Sequence, residues 1–396
     1  MSIIGCNKGI DKILYSGYTI TKVYSCGGKL VWEAEPTPPP TPTGYSEQYL
    51  TFVIKSDNAR FKFSGNTLDY SLDSGSTWTT LPSNSFTPRL SSGDTIMWRG
   101  DDMAITTGNG IGNFSTGGIL YKYDVEGNIM SLIYGDDFKT ATTISSYQFM
   151  KLFNGCSGIE DQHIVLPATK MKVHCYDGMF MGCTHMTSLP ELPATQLADY
   201  CYYNMFSACE KATVAPTLPA TQLADYCYTN MFNNCGFITL PSDYLPATVM
   251  ANDCYSSMFY NCHSLTNTPN LPATTLAIGC YSDMFRGCNS LTTASSLPAT
   301  TLANACYMNM FRGCEMLHTA PDLLAPILVS QCYQEMFEDC TRLNYIKMTA
   351  TDITATRPML DWLKNVAYDG TFVKNASTTI STGTSGIPQY WDVIEV

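Results

Sequence analysis

Charge is what this chain has least of. Only 14% of its 396 residues are Asp, Glu, Lys or Arg, and no run of Lys or Arg occurs anywhere, so the electrostatic footprint that phosphate recognition requires is missing and nucleic acid is excluded as a partner. The formal charge of −12 is spread thinly. Long apolar runs are absent as well. No stretch approaches the ~20 residues that span a bilayer, which argues against membrane insertion. The opening Met1-Ser2-Ile3-Ile4-Gly5-Cys6 lacks a basic segment followed by an apolar one, so an ordinary export signal is not expected. Catalytic signatures are missing too: there is no glycine-rich phosphate loop, no nucleophile elbow and no repeated carboxylate pair. The five histidines, His163, His174, His185, His263 and His318, fall at different repeat positions and read as surface residues. No catalytic residue, cofactor site or metal site is therefore assigned, and a non-enzymatic protein is expected.

Cysteine, by contrast, is abundant. There are seventeen, an odd number, and fifteen recur at fixed repeat positions, which suits buried thiols acting as small hydrophobes better than a disulfide framework. Pairs eight residues apart, such as Cys201 and Cys209, lack the spacing of zinc sites.

The pairs Cys175-Tyr176, Cys201-Tyr202, Cys227-Tyr228, Cys254-Tyr255, Cys280-Tyr281, Cys306-Tyr307 and Cys332-Tyr333 follow at steps of 26 with a single 27. A degenerate eighth unit precedes them, with Ile144, Gln148, Phe149, Leu152, Phe153 and Cys156 at the corresponding places, as a capping repeat should look. The consensus is L-P-A-T-x-L-A-x-x-C-Y-x-x-M-F-x-x-C-x-x-L. Within C-Y-x-x-M-F-x-x-C the apolar residues fall at i, i+1, i+4, i+5 and i+8, which predicts one face of a short helix. The Thr- and Ser-rich run after the second cysteine suits a strand. The expected fold is an α/β solenoid of leucine-rich-type repeats with one strand and one short helix each, in which the Phe, Met and Cys columns stack and no repeat is stable alone. Leu-Pro-Ala-Thr resembles a sortase signal, but its fifth residue is never glycine, so it reads as structural.

Five segments follow: a β-hairpin anchor over 1–33, a proline-rich linker over 34–44, a small all-β sandwich over 45–137, the solenoid of eight repeats over 138–347, and a C-terminal cap over 348–396. Sandwich strands are expected over Tyr49 to Ser56, Ala59 to Ser64, Asp69 to Leu72, Trp78 to Leu81, Asp94 to Arg99 and Ile119 to Tyr123. Ser71 to Trp78 resembles the Asp-box hairpin of sialidase propellers, a folding device in which Asp73 bonds turn backbone.

The repeated L-P-x-x-L and M-F-x-G-C-x-x-L forms resemble the BspA-like leucine-rich repeat family over about residues 138–347, and the tail resembles the cap of such proteins in gut bacteria and their phages. The resemblance implies a surface adhesin or binding protein. With no export signal expected, the favoured reading is a virion appendage made in the host cytoplasm, docking on other virion proteins through 1–33 and touching a host-surface glycan or protein through the repeats. A homo-oligomer is compatible with it. The alternatives are a bacterial cell-surface adhesin and a purely structural virion protein. The repeated tyrosines are expected to bury their rings and show only their hydroxyls. The positions four residues after the second cysteine, Thr187, Thr213, Thr239, Thr266, Thr292 and His318, are the expected solvent-facing binding column.

Overall fold

The computed structural model describes residues 22–24, 30–33, 44–100, 110–237 and 239–396, and they fall into two compact units, residues 1–43 and 44–396. In the first unit β1 (Lys22–Tyr24) pairs antiparallel with β2 (Leu30–Glu33), so one of the expected glycine-punctuated hairpins forms. The other, Ile10 to Gly17, lies outside the described residues.

The second unit opens with β3 (Leu50–Ile54), β4 (Lys62–Phe63), β5 (Leu68–Ser71), β6 (Thr79–Leu81), β7 (Thr95–Arg99), β8 (Phe114–Ser115) and β9 (Tyr123–Asn128). The strand expected at Ile119–Tyr123 thus starts only where that segment ends. Gly127 lies inside β9 with φ +93, and a Cβ there would strike the Tyr49 carbonyl oxygen at 2.2 Å. A four-residue helix, α1 (Ser131–Tyr134), follows, and β10 (Ile159–Val165) completes a six-stranded sheet of order β10-β9-β3-β7-β5-β6. Its β9–β10 pairing is parallel and couples the sheet to the first repeat. Alternation drives the layering: Leu50, Phe52 and Ile54 of β3 are buried on one face. Phe52 sits among Phe61, Trp98, Phe114 and Tyr123 at centroid distances of 5.0–5.5 Å. Phe114 then stacks on Phe153 at 5.6 Å, so the core runs without a break into the repeats.

The repeats contain no helix among the described residues, contrary to the sequence expectation. The C-Y-x-x-M-F-x-x-C segment is a ribbon of overlapping turns. In residues 174–183 the N–H groups of Cys175, Asp177, Met179, Met181 and Cys183 each donate to the carbonyl three residues back at 3.1–3.3 Å. The N–H groups between them, from His174, Tyr176, Gly178, Phe180 and Gly182, donate to the next repeat at 2.7–3.2 Å. A helix would keep every one of these bonds within itself. Exporting alternate bonds requires every fourth residue to turn left-handed, and His174, Gly178 and Gly182 have φ of +53, +58 and +77. The same triplet recurs in each repeat, mostly as Gly, Asn or Asp, for example Asn230 with Asn234 and Asp283 with Gly287. Apolar spacing over nine residues fits a period of four as well as one of 3.6, which is why the pattern read as helical.

The expected strand is also reduced. Between β10 and β11 (Tyr345–Met348) the repeats join through isolated parallel bridges such as Lys170 with Gln196, Thr275 with Thr301 and Asn267 with Thr293. Two prolines in most repeats, Pro216 and Pro219 for instance, lack the N–H a continuous ladder needs. The outcome is a leucine-rich repeat fold dominated by β pairing, with few helices.

Stacked side-chain columns carry the packing. The phenylalanines from Phe153 to Phe337 follow one another at 5.3–5.8 Å, face to face. A second aromatic column runs from Phe149 through the seven consensus tyrosines to Trp362. The ribbon continues for one further rung, where Pro358, Leu360, Trp362 and Lys364 accept bonds from the last consensus repeat. At this end of the array β11, β12 (Gly370–Lys374) and β13 (Trp391–Glu395) form a parallel sheet.

Candidate binding surface

The residues expected to face solvent do occupy equivalent places in successive repeats. Thr187, Thr213, Thr239, Thr292 and His318 are exposed and Thr266 is half-buried. Their backbone is part of the inter-repeat pairing, since Thr187 and Thr292 donate from N–H to the carbonyls of Glu160 and Thr266, each at 3.1 Å, and His318 accepts from Asn344 at 3.0 Å. The hydroxyls of Thr187 and Thr292 donate to those same carbonyls at 3.1 and 3.2 Å. At Thr187 and Thr292 the hydroxyl proton is thus used and oxygen lone pairs are left to solvent.

The consensus tyrosines offer less than expected. Tyr176, Tyr202, Tyr228, Tyr255, Tyr281, Tyr307 and Tyr333 are each at most 2% exposed. Even the hydroxyls of Tyr176 and Tyr281 are buried and meet no partner among the described residues. Burial raises every one of these phenols well above the ordinary range. They build the core and present nothing to a ligand.

A different aromatic row, missed in the sequence, lies at the surface. Tyr147, His174, Tyr200 and Tyr226 precede the first cysteine position of four successive repeats and stack at 5.0, 4.5 and 4.5 Å. All four are half-buried and take positive φ. Their rings are stacked face to face, so inner ring faces are used by one another. His174 is therefore more than a surface residue: its Nδ1 lies 2.7 Å from Oδ2 of Asp177, whose carboxyl is raised by burial and partly held back by that histidine. At the far end the Asp253 carboxylate raises the Tyr226 hydroxyl. The D-Y-C-Y repetition at Asp199–Tyr202 and Asp225–Tyr228 was the signal available in the sequence.

The Asp-box-like hairpin closes as expected. Asp73 accepts from the Thr77 hydroxyl at 2.6 Å and the Thr77 N–H at 2.8 Å, and Ser71 donates to it at 2.7 Å. These bonds lower its carboxyl to about 2. Trp78 packs edge-on against Tyr49 at 4.9 Å and beneath the Arg99 guanidinium at 4.3 Å.

The fifteen repeat cysteines are buried free thiols. Among the described residues no cluster of three or more His, Cys, Asp or Glu is arranged to hold a metal ion, and no helix is long and apolar enough to cross a membrane.

The family described as BspA type Leucine rich repeat region matches in six copies over residues 142–292 and 252–357, more than half the chain. The chain belongs to that family. A solved leucine-rich repeat protein from Bacteroides ovatus is similar at a TM-score of 0.37, with 15% identity over 71% of this chain and 74% of that one. No curated protein matches it in sequence.

Proposed function

We propose that this protein is a non-enzymatic adhesin of the bacterial cell surface that binds its target through the outward row of the repeats. Membership of the BspA-type family supports the reading, because that resemblance implies surface binding proteins. The virion reading rested on the expectation of no export signal and gains nothing from the family match, so it is not carried forward. In this proposal residues 1–33 attach the chain, 34–44 space it from the surface, and the repeats meet a glycan or protein. The observation that carries it is the row Thr187, Thr213, Thr239 and Thr292. The fold consumes every apolar column but leaves these side chains at one common, exposed position. Rows repeated on a stiff array are how repeat proteins build extended binding faces.

The test is saturable binding of the fluorescently labelled full chain to a panel of epithelial and bacterial cells. The triple variant Thr213→Lys, Thr239→Lys, Thr292→Lys should lose at least about tenfold in affinity, since bulky charge blocks a surface made of small acceptors. Undiminished binding by a folded triple variant would reject the row as the binding face.

A further inference from the structure

The N-terminal end of the turn ribbon is incompletely covered. Each ribbon accepts bonds from the one before it, but the first has no preceding repeat. The segment from Ile111 to the first residue of β8 substitutes: Ile111 N–H donates to the Gln148 carbonyl at 3.1 Å and Phe114 N–H to the Leu152 carbonyl at 2.8 Å. There the substitution stops, because β8 turns aside to pair with β4. The next carbonyl in the row belongs to Asn154, and at that point the surface opens into a cavity of about 300 Å³.

The lining is chemically distinctive. It contains no charged side chain and no histidine, but holds Asn113, Asn154, Ser157 and Thr116 above a floor of Phe114 and Cys156. Asn113 is fixed by Ser64, whose hydroxyl donates to its Oδ1 and accepts its backbone N–H, so its amide nitrogen is still available. No hydrogen bond among the described residues engages the side chains of Asn154 or Ser157. The rim is apolar, with Ile119 and Leu120 at 47% and 54% exposure. It is not a loose loop: the Thr116 hydroxyl donates to the Ile119 carbonyl at 2.5 Å, and Gly117 N–H to the Ser115 hydroxyl at 3.0 Å.

We propose that this cavity, between the Ser115–Leu120 loop and the Asn154–Ser157 turn, is a binding site for one neutral, hydroxyl-rich ring, a single sugar residue. Neutral amide and hydroxyl groups both donate and accept, which matches a sugar's hydroxyls and gives no advantage to an ion. The exposed aliphatic pair covers the C–H face that such a ring presents beside its hydroxyls. The volume sits at the bottom of the ~300–1,000 Å³ span of ligand clefts, enough for one ring and too little for a chain. The site uses none of the threonine row, so it stands or falls separately from the adhesive face.

The experiment is saturation-transfer NMR and thermal shift of the full chain with a panel of neutral hexoses, pentoses, deoxyhexoses and N-acetylhexosamines, each also as its methyl glycoside. At least one should bind, with an affinity unchanged between about 0.05 and 0.5 M NaCl, since no charge is involved. Asn154→Ala and Ser157→Ala should each weaken it by about tenfold, the loss of one hydrogen bond to the ligand. Ser157→Trp should abolish it by filling the space. Equal binding of the methyl glycoside identifies the end of a glycan as the source, and binding of the reducing sugar alone identifies a free one. No binding across the panel, or binding that survives all three substitutions in folded protein, overturns the proposal.

Discussion

The thiol of Cys262 donates to the carbonyl oxygen of Phe232 in the preceding repeat, 3.2 Å away. The contact recurs along the whole array, from Cys183 with Phe153 at 3.3 Å to Cys340 with Phe311 at 3.0 Å. The second cysteine of the consensus is thus a small hydrophobe that also ties adjacent repeats together. Cys262→Ala should cost about 1–2 kcal/mol, from the lost volume and the lost weak bond. Urea unfolding of the variant measures it, and a change below about 0.3 kcal/mol would reduce the contact to incidental packing.

Thiol reactivity should follow the same burial. The Cys262 thiol is pushed up to about 12 by burial, so almost no thiolate exists at neutral pH. In a Cys6→Ser, Cys26→Ser background, the native chain should resist a thiol reagent until denaturant is added. Rapid labelling of several thiols in native buffer would show that the columns open readily.

Gly182 isolates the backbone requirement of the ribbon. Its φ is +77, and an added Cβ would come no closer than 3.6 Å to Gly155, an ordinary contact. Gly182→Ala should therefore cost about 1–2 kcal/mol from the left-handed conformation alone. Gly287→Ala should cost about the same, because the Asn261 Oδ1 that its Cβ would meet at 2.1 Å is the end of a half-buried side chain that can turn away, leaving the φ of +74 as the shared cause. Equal stabilities for wild type and Gly182→Ala in urea would contradict the turn ribbon.

Alkaline pH should unfold the repeats. Burial raises Tyr281 and its neighbours in the column well above the ordinary phenol range, so they stay protonated in the folded chain. Unfolded tyrosine releases its proton near ~10 and unfolded cysteine near ~8.5. The unfolded state thus binds fewer protons above these values, and stability falls as pH rises through them. Phenolate absorbance should appear in one cooperative step together with loss of structure. A gradual titration preceding unfolding would mean that the hydroxyls reach water.

At the acid end Asp73 works in the opposite sense. Its carboxyl is lowered to about 2 from an ordinary 3.8 by the Thr77 hydroxyl first, then the Thr77 N–H and Ser71. Its contribution is present above the ordinary value and fades as pH falls through about 2. The stability difference between wild type and Asp73→Asn should shrink from about pH 5 to about pH 2. A difference constant with pH would remove the carboxylate from the hairpin's support.

The sequence by itself determined the repeat, its 26-residue step and the columns that pack, because spacing alone says which side chains meet when copies of one unit stack. It also placed Thr187, Thr213, Thr239 and Thr292 on the outside, though not the half-buried Thr266, and the Asp73 hairpin in its turn. Tertiary structure decided the rest. Whether Cys175 to Cys183 winds as a helix or a turn ribbon depends on where alternate N–H groups find acceptors. Those acceptors, Cys201, Tyr203 and Met205 among them, lie in the next repeat, beyond any local pattern. Only stacking could bury the consensus hydroxyls and bring Tyr147, His174, Tyr200 and Tyr226 face to face. The cavity at Asn154 is further still from sequence, since it exists only because a distant segment covers part of the first ribbon and then turns away.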